Sequence, residues 1–399
     1  MNINVQNSTP GGFRWSLFLG ILLLISGINS GALLHASPED KGSVHTRTTG
    51  KTDGVPDLLE RPADKVGKPE TCVLLGIAKA GDRLVAVGER GIIVFSDDRG
   101  ENWRQSEVPT SVTLTAVSFP TKDIGWAIGH AGTVLITTDA GETWTRQLDG
   151  VTAAQLAFDD AKAYAASKGE DEPLAKRYLS DAKLLIDDGP DKPFLDIHFS
   201  NEKEGIIVGA YGLILHTGDG GQTWASWMTR VNNPDAFHYY TILQSQNNIY
   251  LAGEQGICFR SLDAGRTFQK IDTGYRGSYF TSTIMGQGIL VIAGLKGNVF
   301  LSIDHGTSFS QLKIPVPVSI LTALTTRSGR VVFVNQAGQI LQNTPVGYDR
   351  FQVADVPRLK AMVASVVQLD EGLLLGVGNN GVVRISLPIE NSDNTKGWF

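Results

Sequence analysis

Ser96-Asp97-Asp98-Arg99-Gly100-Glu101-Asn102-Trp103 decides the reading of this chain, because the sequence keeps returning to it. It recurs as Thr137-Thr138-Asp139-Ala140-Gly141-Glu142-Thr143-Trp144 and as Thr217-Gly218-Asp219-Gly220-Gly221-Gln222-Thr223-Trp224. Two looser copies follow, Ser261-Leu262-Asp263-Ala264-Gly265-Arg266-Thr267-Phe268 and Ser302-Ile303-Asp304-His305-Gly306-Thr307-Ser308-Phe309. The pattern is that of a stapled hairpin turn. Its Asp can accept from backbone N–H groups one and two residues on, its Gly supplies a positive φ, and its aromatic residue can pack beneath the turn.

Such an octet is the signature of the Asp-box (BNR) hairpin. A carboxylate repeated five times in equivalent turns reads as scaffold, so Asp98, Gly100, Trp103, Asp139, Gly141, Trp144, Asp219, Gly221 and Trp224 are assigned structural roles. The same holds for Asp263, Gly265, Phe268, Asp304, Gly306 and Phe309. A second signal precedes each octet and counts the units: Val87-Gly88-Glu89-Arg90-Gly91, then Ile128–Gly132, Val208–Gly212, Ala252–Gly256, Ala293–Gly297, Val334–Gly338 and Val377–Gly381. The period is roughly 41–44 residues apart from one gap near twice that, within the range of propeller blades. The last two units lack the octet.

Within a unit, short apolar or alternating runs bounded by Gly read as four strands. In the second unit these are Leu114–Phe119, Gly125–Ile128, Thr133–Thr137 and Thr143–Gln147. The fold predicted is all-β, a seven-bladed β-propeller over 72–388 with a helical-hairpin insert between blades 2 and 3. The last unit runs out after its third strand, and a strand around Val55–Pro62 is expected to supply the fourth and remove the free edge. The insert, 151–193, has an Ala-rich stretch over Thr152–Ser167. A second helix over Pro173–Asp188 opens on Pro, with Leu174, Tyr178, Ala182 and Leu185 on one face.

Met1–Ala36 carries one positive charge, Arg14, before an apolar run, and reads as a secretory signal peptide. An uncleaved anchor is the alternative. Residues 37–71 form a polar lead-in and 389–399 a tail. The protein is thus expected to be exported, to the periplasm or the extracellular space. A net charge of −6 without a basic block argues against nucleic acid and against an electrostatic membrane-surface protein. Two cysteines, Cys72 and Cys258, are too few for a disulfide framework and are expected to be buried and unpaired.

In a blade, the turn between strands two and three and the link to the next blade share one face, opposite the octets. That face carries the insert together with Arg90, Tyr211, Lys296 and two aromatic links, Phe237-His238-Tyr239-Tyr240 and Tyr275-Arg276 with Tyr279-Phe280. Tyr and Arg are the residues of binding hot spots, so Tyr211, His238, Tyr239, Tyr275, Arg276, Tyr279, Arg90 and Lys296 are the candidate partner-binding residues. Tyr240 and Phe280 read as ordinary core. Catalytic signals are thin: no carboxylate pair of the kind glycoside hydrolysis needs can be singled out. Sialidases, to which Asp-boxes invite comparison, use an arginine cluster and carry an Arg-Ile-Pro motif near their first blade; no such motif is found in this sequence. Asp196 and His198 could face the channel together, as a satisfied polar pair rather than a metal site. Neither a cofactor nor a metal is expected.

The units V-G-x-x-G followed by [S/T]-x-D-x-G-x-T-W resemble the photosystem II stability/assembly factor-like propellers, a branch of the Asp-box superfamily, from about Cys72 to Leu387. The resemblance implies a non-enzymatic protein, monomeric, that assists assembly, stability or function of a membrane or envelope protein complex. A glycan-binding or glycosidase propeller is the alternative.

Overall fold

The computed structural model describes residues 57–344 and 347–388. The leader Met1–Ala36, the lead-in as far as residue 56 and the tail 389–399 lie outside them. The described residues form an all-β, propeller-like fold of seven consecutive antiparallel sheets with two α-helices. Sheets 1 to 6 have four strands in meander order, and sheet 7 has three. The first strands are Leu74–Ala80, Leu114–Ser118, Phe194–Phe199, Tyr239–Ser245, Tyr279–Met285, Ile320–Thr325 and Val363–Asp370. Each touches the first strand of the next sheet, and that of sheet 7 touches that of sheet 1, so the inner strands make a closed ring.

The core follows from this arrangement. Strands apolar on both faces must be covered on both, and here the cover is the neighbouring sheet. Val85, Val87 and Ile93 of sheet 1 pack with Leu114, Ala127 and Leu135 of sheet 2. At the other end of the chain, Leu375 and Val377 of sheet 7 pack with Leu74, Leu84, Ala86 and Val94 of sheet 1. The second strands, such as Gly205–Gly209 and Val331–Asn335, are buried throughout.

The octets staple neighbouring sheets. In the first, the Ser96 hydroxyl donates to Asp98 Oδ1 (2.8 Å) and accepts from Gly100 N (2.8 Å), while Asp98 Oδ1 accepts from Asn102 N (2.8 Å). The fourth repeats this through Ser261, Asp263 and Thr267 at 2.7–3.0 Å. The carboxylate therefore reaches four residues on rather than one or two. Two successive left-handed residues (Arg99 φ 63, Gly100 φ 84; Ala264 φ 57, Gly265 φ 79) curl the turn back onto it. These hydrogen bonds hold Asp98, Asp219 and Asp263 down to about 2. A Cβ built on the octet glycine would meet the preceding sheet: Val85 at Gly141, Trp227 at Gly265, Tyr250 at Gly306. At Gly100 it meets Leu375, so the first octet sits on sheet 7.

That contact adds to the packing of the inner strands in joining sheet 7 to sheet 1. Residues 55 and 56 of the segment expected to complete sheet 7 lie outside the described residues, and its described part, from residue 57 on, goes elsewhere: Leu58 O accepts from Ser111 N (2.9 Å) and Thr110 Oγ1 (2.9 Å), and Ala63 N donates to Val108 O (3.0 Å). It lies along the link between sheets 1 and 2. No strand among the described residues pairs with the outer strand of sheet 7, Gly381–Ser386. Instead Arg384 Nη2 donates to Arg99 O (2.8 Å) and Glu101 Oε1 (2.6 Å), and Arg99 pairs with Asp370. Both cysteines are free thiols; Cys258 is buried and Cys72 only half-buried.

Helices α1 (Gly150–Lys168) and α2 (Pro173–Asp188) form an antiparallel hairpin after sheet 2. Asp149 caps α1 by accepting from Thr152 N (2.9 Å), and Glu172 caps α2 by accepting from Ala175 N (2.7 Å). Small residues of α1 (Ala153, Ala157, Ala161, Ala165) and Tyr178, Ala182 and Leu185 of α2 are buried between the helices and sheets 2 and 3. Ala175 joins the buried set, and Leu174 packs at its margin.

Candidate partner-binding face

The G-x-x-G signal has two separate physical reasons. Its first glycine permits a close approach: a Cβ on Gly88, Gly129 or Gly253 would stand 2.0–2.2 Å from the carbonyl oxygen of Val73, Thr113 or His238 in the preceding link. Its last two residues form a two-residue turn with positive φ at both positions, matched to the twist of the strands. Arg90 (φ 53), Ala131 (φ 54), Tyr211 (φ 56), Gln255 (φ 50) and Lys296 (φ 57) are each followed by a left-handed glycine. The turns close through Ile92 N to Glu89 O (2.9 Å), Leu213 N to Ala210 O (3.1 Å) and their equivalents. Five different side chains are thus displayed on one backbone shape.

Inside these turns the first strands carry a repeated irregularity. Pairing with the second strand slips between Leu74 and Gly76, Leu114 and Ala116, Tyr239 and Thr241, Tyr279 and Thr281, Ile320 and Thr322, and Val363 and Ser365. In sheet 3 the residue skipped is Leu195. A bulge re-aims the extra side chain. The bulged residues Leu75, Thr115, Leu195, Tyr240, Phe280, Leu321 and Ala364 are all half-buried and stand at one level of the inner ring.

The bulge corrects the reading of the aromatic links. Tyr239 and Tyr279, proposed from the sequence to meet a partner, are 1 % and 0 % exposed. Tyr239 packs edge-on to Phe259, and the Tyr279 hydroxyl is held by Thr273 (2.5 Å). Tyr240 and Phe280, read as core, are the members turned outward, with ring centroids 5.9 Å apart across two sheets. Because pairing slips at that residue, simple alternation assigns the wrong partner of each pair.

Tyr211 and His238 come together: Tyr211 N donates to His238 Nδ1 (3.0 Å) and the rings are 5.0 Å apart. His238 N donates to Glu254 Oε2 (3.1 Å), and the His238 ring is 6.2 Å from Tyr240. A continuous aromatic strip therefore runs Tyr211, His238, Tyr240, Phe280 from the turn of sheet 3 to the inner ring of sheet 5. Lys192, almost buried and paired with Asp188 and Asp191, lies over the Tyr211 ring at 5.1 Å and fixes it to the base of the hairpin. Tyr275 stands apart from the strip, half-buried, donating its hydroxyl to Leu295 O (3.1 Å). Arg276 is exposed and paired with Asp272 (3.0 Å); Arg90 and Lys296 are exposed at their turns.

Two half-buried carboxylates nearby are committed to hydrogen bonds. Asp160 of α1 accepts from Thr229 N (3.2 Å), Thr229 Oγ1 (2.9 Å) and Ser226 Oγ (3.1 Å), tying the hairpin to sheet 3, and burial raises its pKa. Asp196 accepts from Ile197 N (2.9 Å) and from Ile242 N of the next sheet (2.8 Å); burial pushes it up to about 6. Sheet 5 uses Thr281 in the same place, accepting from Ala323 N (3.0 Å). Burial lowers the pKa of His198. Among the described residues no three His, Cys, Asp or Glu side chains converge as a metal site.

Comparison with known proteins places this geometry. The chain is similar in fold to a YCF48 solved with D1 peptide bound: 15 % identity, TM-score 0.58, covering 82 % of this chain and 99 % of that one. It is similar to YCF48 from Cyanidioschyzon merolae at 15 % identity and TM-score 0.57, covering 80 % and 97 %. It also resembles a streptogramin B lyase at 14 % identity and TM-score 0.60, covering 84 % and 100 %. At these identities the likeness concerns the fold alone. No curated protein sequence matches. A family model, described as photosynthesis system II assembly factor YCF48, matches residues 95–165 and 182–353, leaving out the end of α1, the connecting turn and the first half of α2. The chain belongs to the photosynthesis system II assembly factor YCF48 family.

Proposed function

We propose that the seven sheets are the blades of a seven-bladed propeller stapled by Asp-box hairpins, and that the protein is a non-catalytic interaction scaffold. It assists assembly, stability or function of a membrane or envelope protein complex, acting as a monomer exported by the leader Met1–Ala36. Family membership supports the role, and the YCF48 solved with D1 peptide suggests the kind of ligand, a peptide segment of a membrane protein.

The observation that carries the reading is the aromatic strip Tyr211, His238, Tyr240, Phe280. Rings held by a closed sheet ring and by Lys192 are already ordered, so a peptide laid across them immobilises few protein side chains. The glycosidase alternative has no comparable support. The bulged residues of the inner ring include neither an arginine nor an acid, and Asp196 is engaged by two backbone N–H groups.

The test is capture of partners by the tagged full chain from detergent-solubilised membranes, beside a Tyr211→Ala, Tyr240→Ala, Phe280→Ala variant. A specific membrane partner lost with the variant, whose melting stays cooperative, is the expected result. A partner held equally by both proteins would remove the strip from the site. No partner with either would leave the scaffold role without support.

A further inference from the structure

The face that carries the strip is electrically lopsided, and the fold creates the imbalance from residues scattered along the sequence. Hydrogen bonds set successive turns and links of sheets 5 to 7 edge to edge. Tyr275 donates to Leu295 O, Lys296 N donates to Ser319 Oγ (3.1 Å), Gln336 N donates to Ser319 O (2.8 Å), and Leu359 N donates to Gly338 O (2.9 Å). Along this arc stand Lys296, Lys313, Arg358 and Lys360, all exposed, with Asp355 the one acid among these links and turns outside the Arg276–Asp272 pair. None of the three lysines has an ion-pair partner among the described residues. The opposite side of the same face holds the hairpin, where Lys176, Lys183 and Lys192 pair with Asp171, Asp187, Asp188 and Asp191, and where the acidic side chains of 150–193 outnumber the basic ones.

We propose that this arc docks the protein on an anionic lipid surface. Three of its four cations are lysines, compact point charges without the fork that selects individual carboxylates. They project from turns spread over two links and a hairpin rather than from a groove, which suits a diffuse sheet of phosphate charge better than one acidic peptide. Their charge is uncompensated in a protein whose net charge is −6, so the attraction is local and orienting. Docking by this arc would bring the aromatic strip, on the same face, toward the exposed loops of membrane proteins. The inference stands on the charge distribution and not on the scaffold reading.

The experiment is a lysine footprint of the full chain by an amine-acylating reagent, read by mass spectrometry. It is run with vesicles of phosphatidylcholine alone and with one quarter phosphatidylglycerol. The apolar leader contributes equally to both compositions, so the readout is site protection. Expected is protection of Lys296, Lys313 and Lys360 only on the anionic vesicles, lost at about 0.5 M salt. Lys122 and Lys203, at turns on the octet face, stay reactive. In a Lys296→Ala, Lys313→Ala, Lys360→Ala variant the vesicle concentration that protects Arg358 from an arginine-specific reagent rises about 100-fold, roughly five-fold per charge removed. Replacement by arginine leaves it within a few-fold. Equal protection on both vesicle types, protection that survives salt, or equal protection by poly-glutamate would overturn the proposal, the last in favour of an acidic protein partner.

Discussion

Substituting Asp196 by threonine tests the account of the inner ring most directly. Asp196 bridges sheets 3 and 4 by accepting from Ile197 N and Ile242 N, a task that Thr281 performs between sheets 5 and 6 with one uncharged hydroxyl. Burial raises the carboxyl from 3.8 to about 6, so the folded protein binds this proton more tightly than the unfolded chain does. Stability from this group is therefore greatest below pH 4. It falls as pH rises between about 4 and 6 and is constant above that. The shift amounts to about 3 kcal/mol. Threonine removes that penalty and keeps the bond to Ile242, but leaves Ile197 N without an acceptor, at about 1–2 kcal/mol. The variant should be about 1–2 kcal/mol more stable than the parent at pH 7.5 and less stable at pH 4. Urea unfolding from pH 4 to 8 measures the difference, and subtraction cancels the octet carboxylates, whose lowered pKa values act in the opposite sense. Parallel stability curves, or a variant weaker at every pH, would refute the reasoning.

Further outcomes follow from single contacts. Asp160→Ala removes the acceptor for three donors of the 226–229 segment and should cost about 2–3 kcal/mol. Hydrogen exchange should accelerate in α1, α2 and residues 226–231 before the rest of the chain. Gly253→Ala drives a methyl to 2.0 Å from His238 O and should cost about 3 kcal/mol or more, read as a lowered melting temperature. The change also displaces His238 from Tyr211, so partner capture should fall with it. Arg384→Ala breaks the bonds to Arg99 O and Glu101. About 1 kcal/mol is expected for so exposed a site, with faster exchange concentrated in Gly381–Ser386; uniform acceleration would show that the ends are not joined there.

The sequence made the repeat, the turns and the helices readable because each rests on local chemistry. Gly and Asp at fixed offsets fix the octets, and a capped, Pro-initiated amphipathic stretch gives α2 almost to the residue. The strands of the second unit fall within two residues of their expected limits. What was hidden depends on relations between units. The bulge that turns Tyr240 out and Tyr239 in is a property of pairing with the neighbouring strand, which a period-two reading of one strand does not contain. The joining of the chain ends by Arg384 and Arg99, 285 residues apart, leaves no local trace. Lys296, Lys313 and Lys360 likewise form no run in the sequence; only the order of turns and links in the fold sets them along one arc.

The turns that display Arg90, Ala131, Tyr211, Gln255 and Lys296 have an engineering consequence. Each holds a non-glycine residue in a left-handed conformation that costs any L-residue about 1–2 kcal/mol. That expense varies little among the unbranched side chains, and the hydrogen bonds closing the turn involve backbone atoms alone. Identity at these positions is therefore largely decoupled from foldability. The rim behaves as a pegboard into which new recognition residues could be grafted, singly or in combination, with β-branched residues the least suitable and asparagine the most.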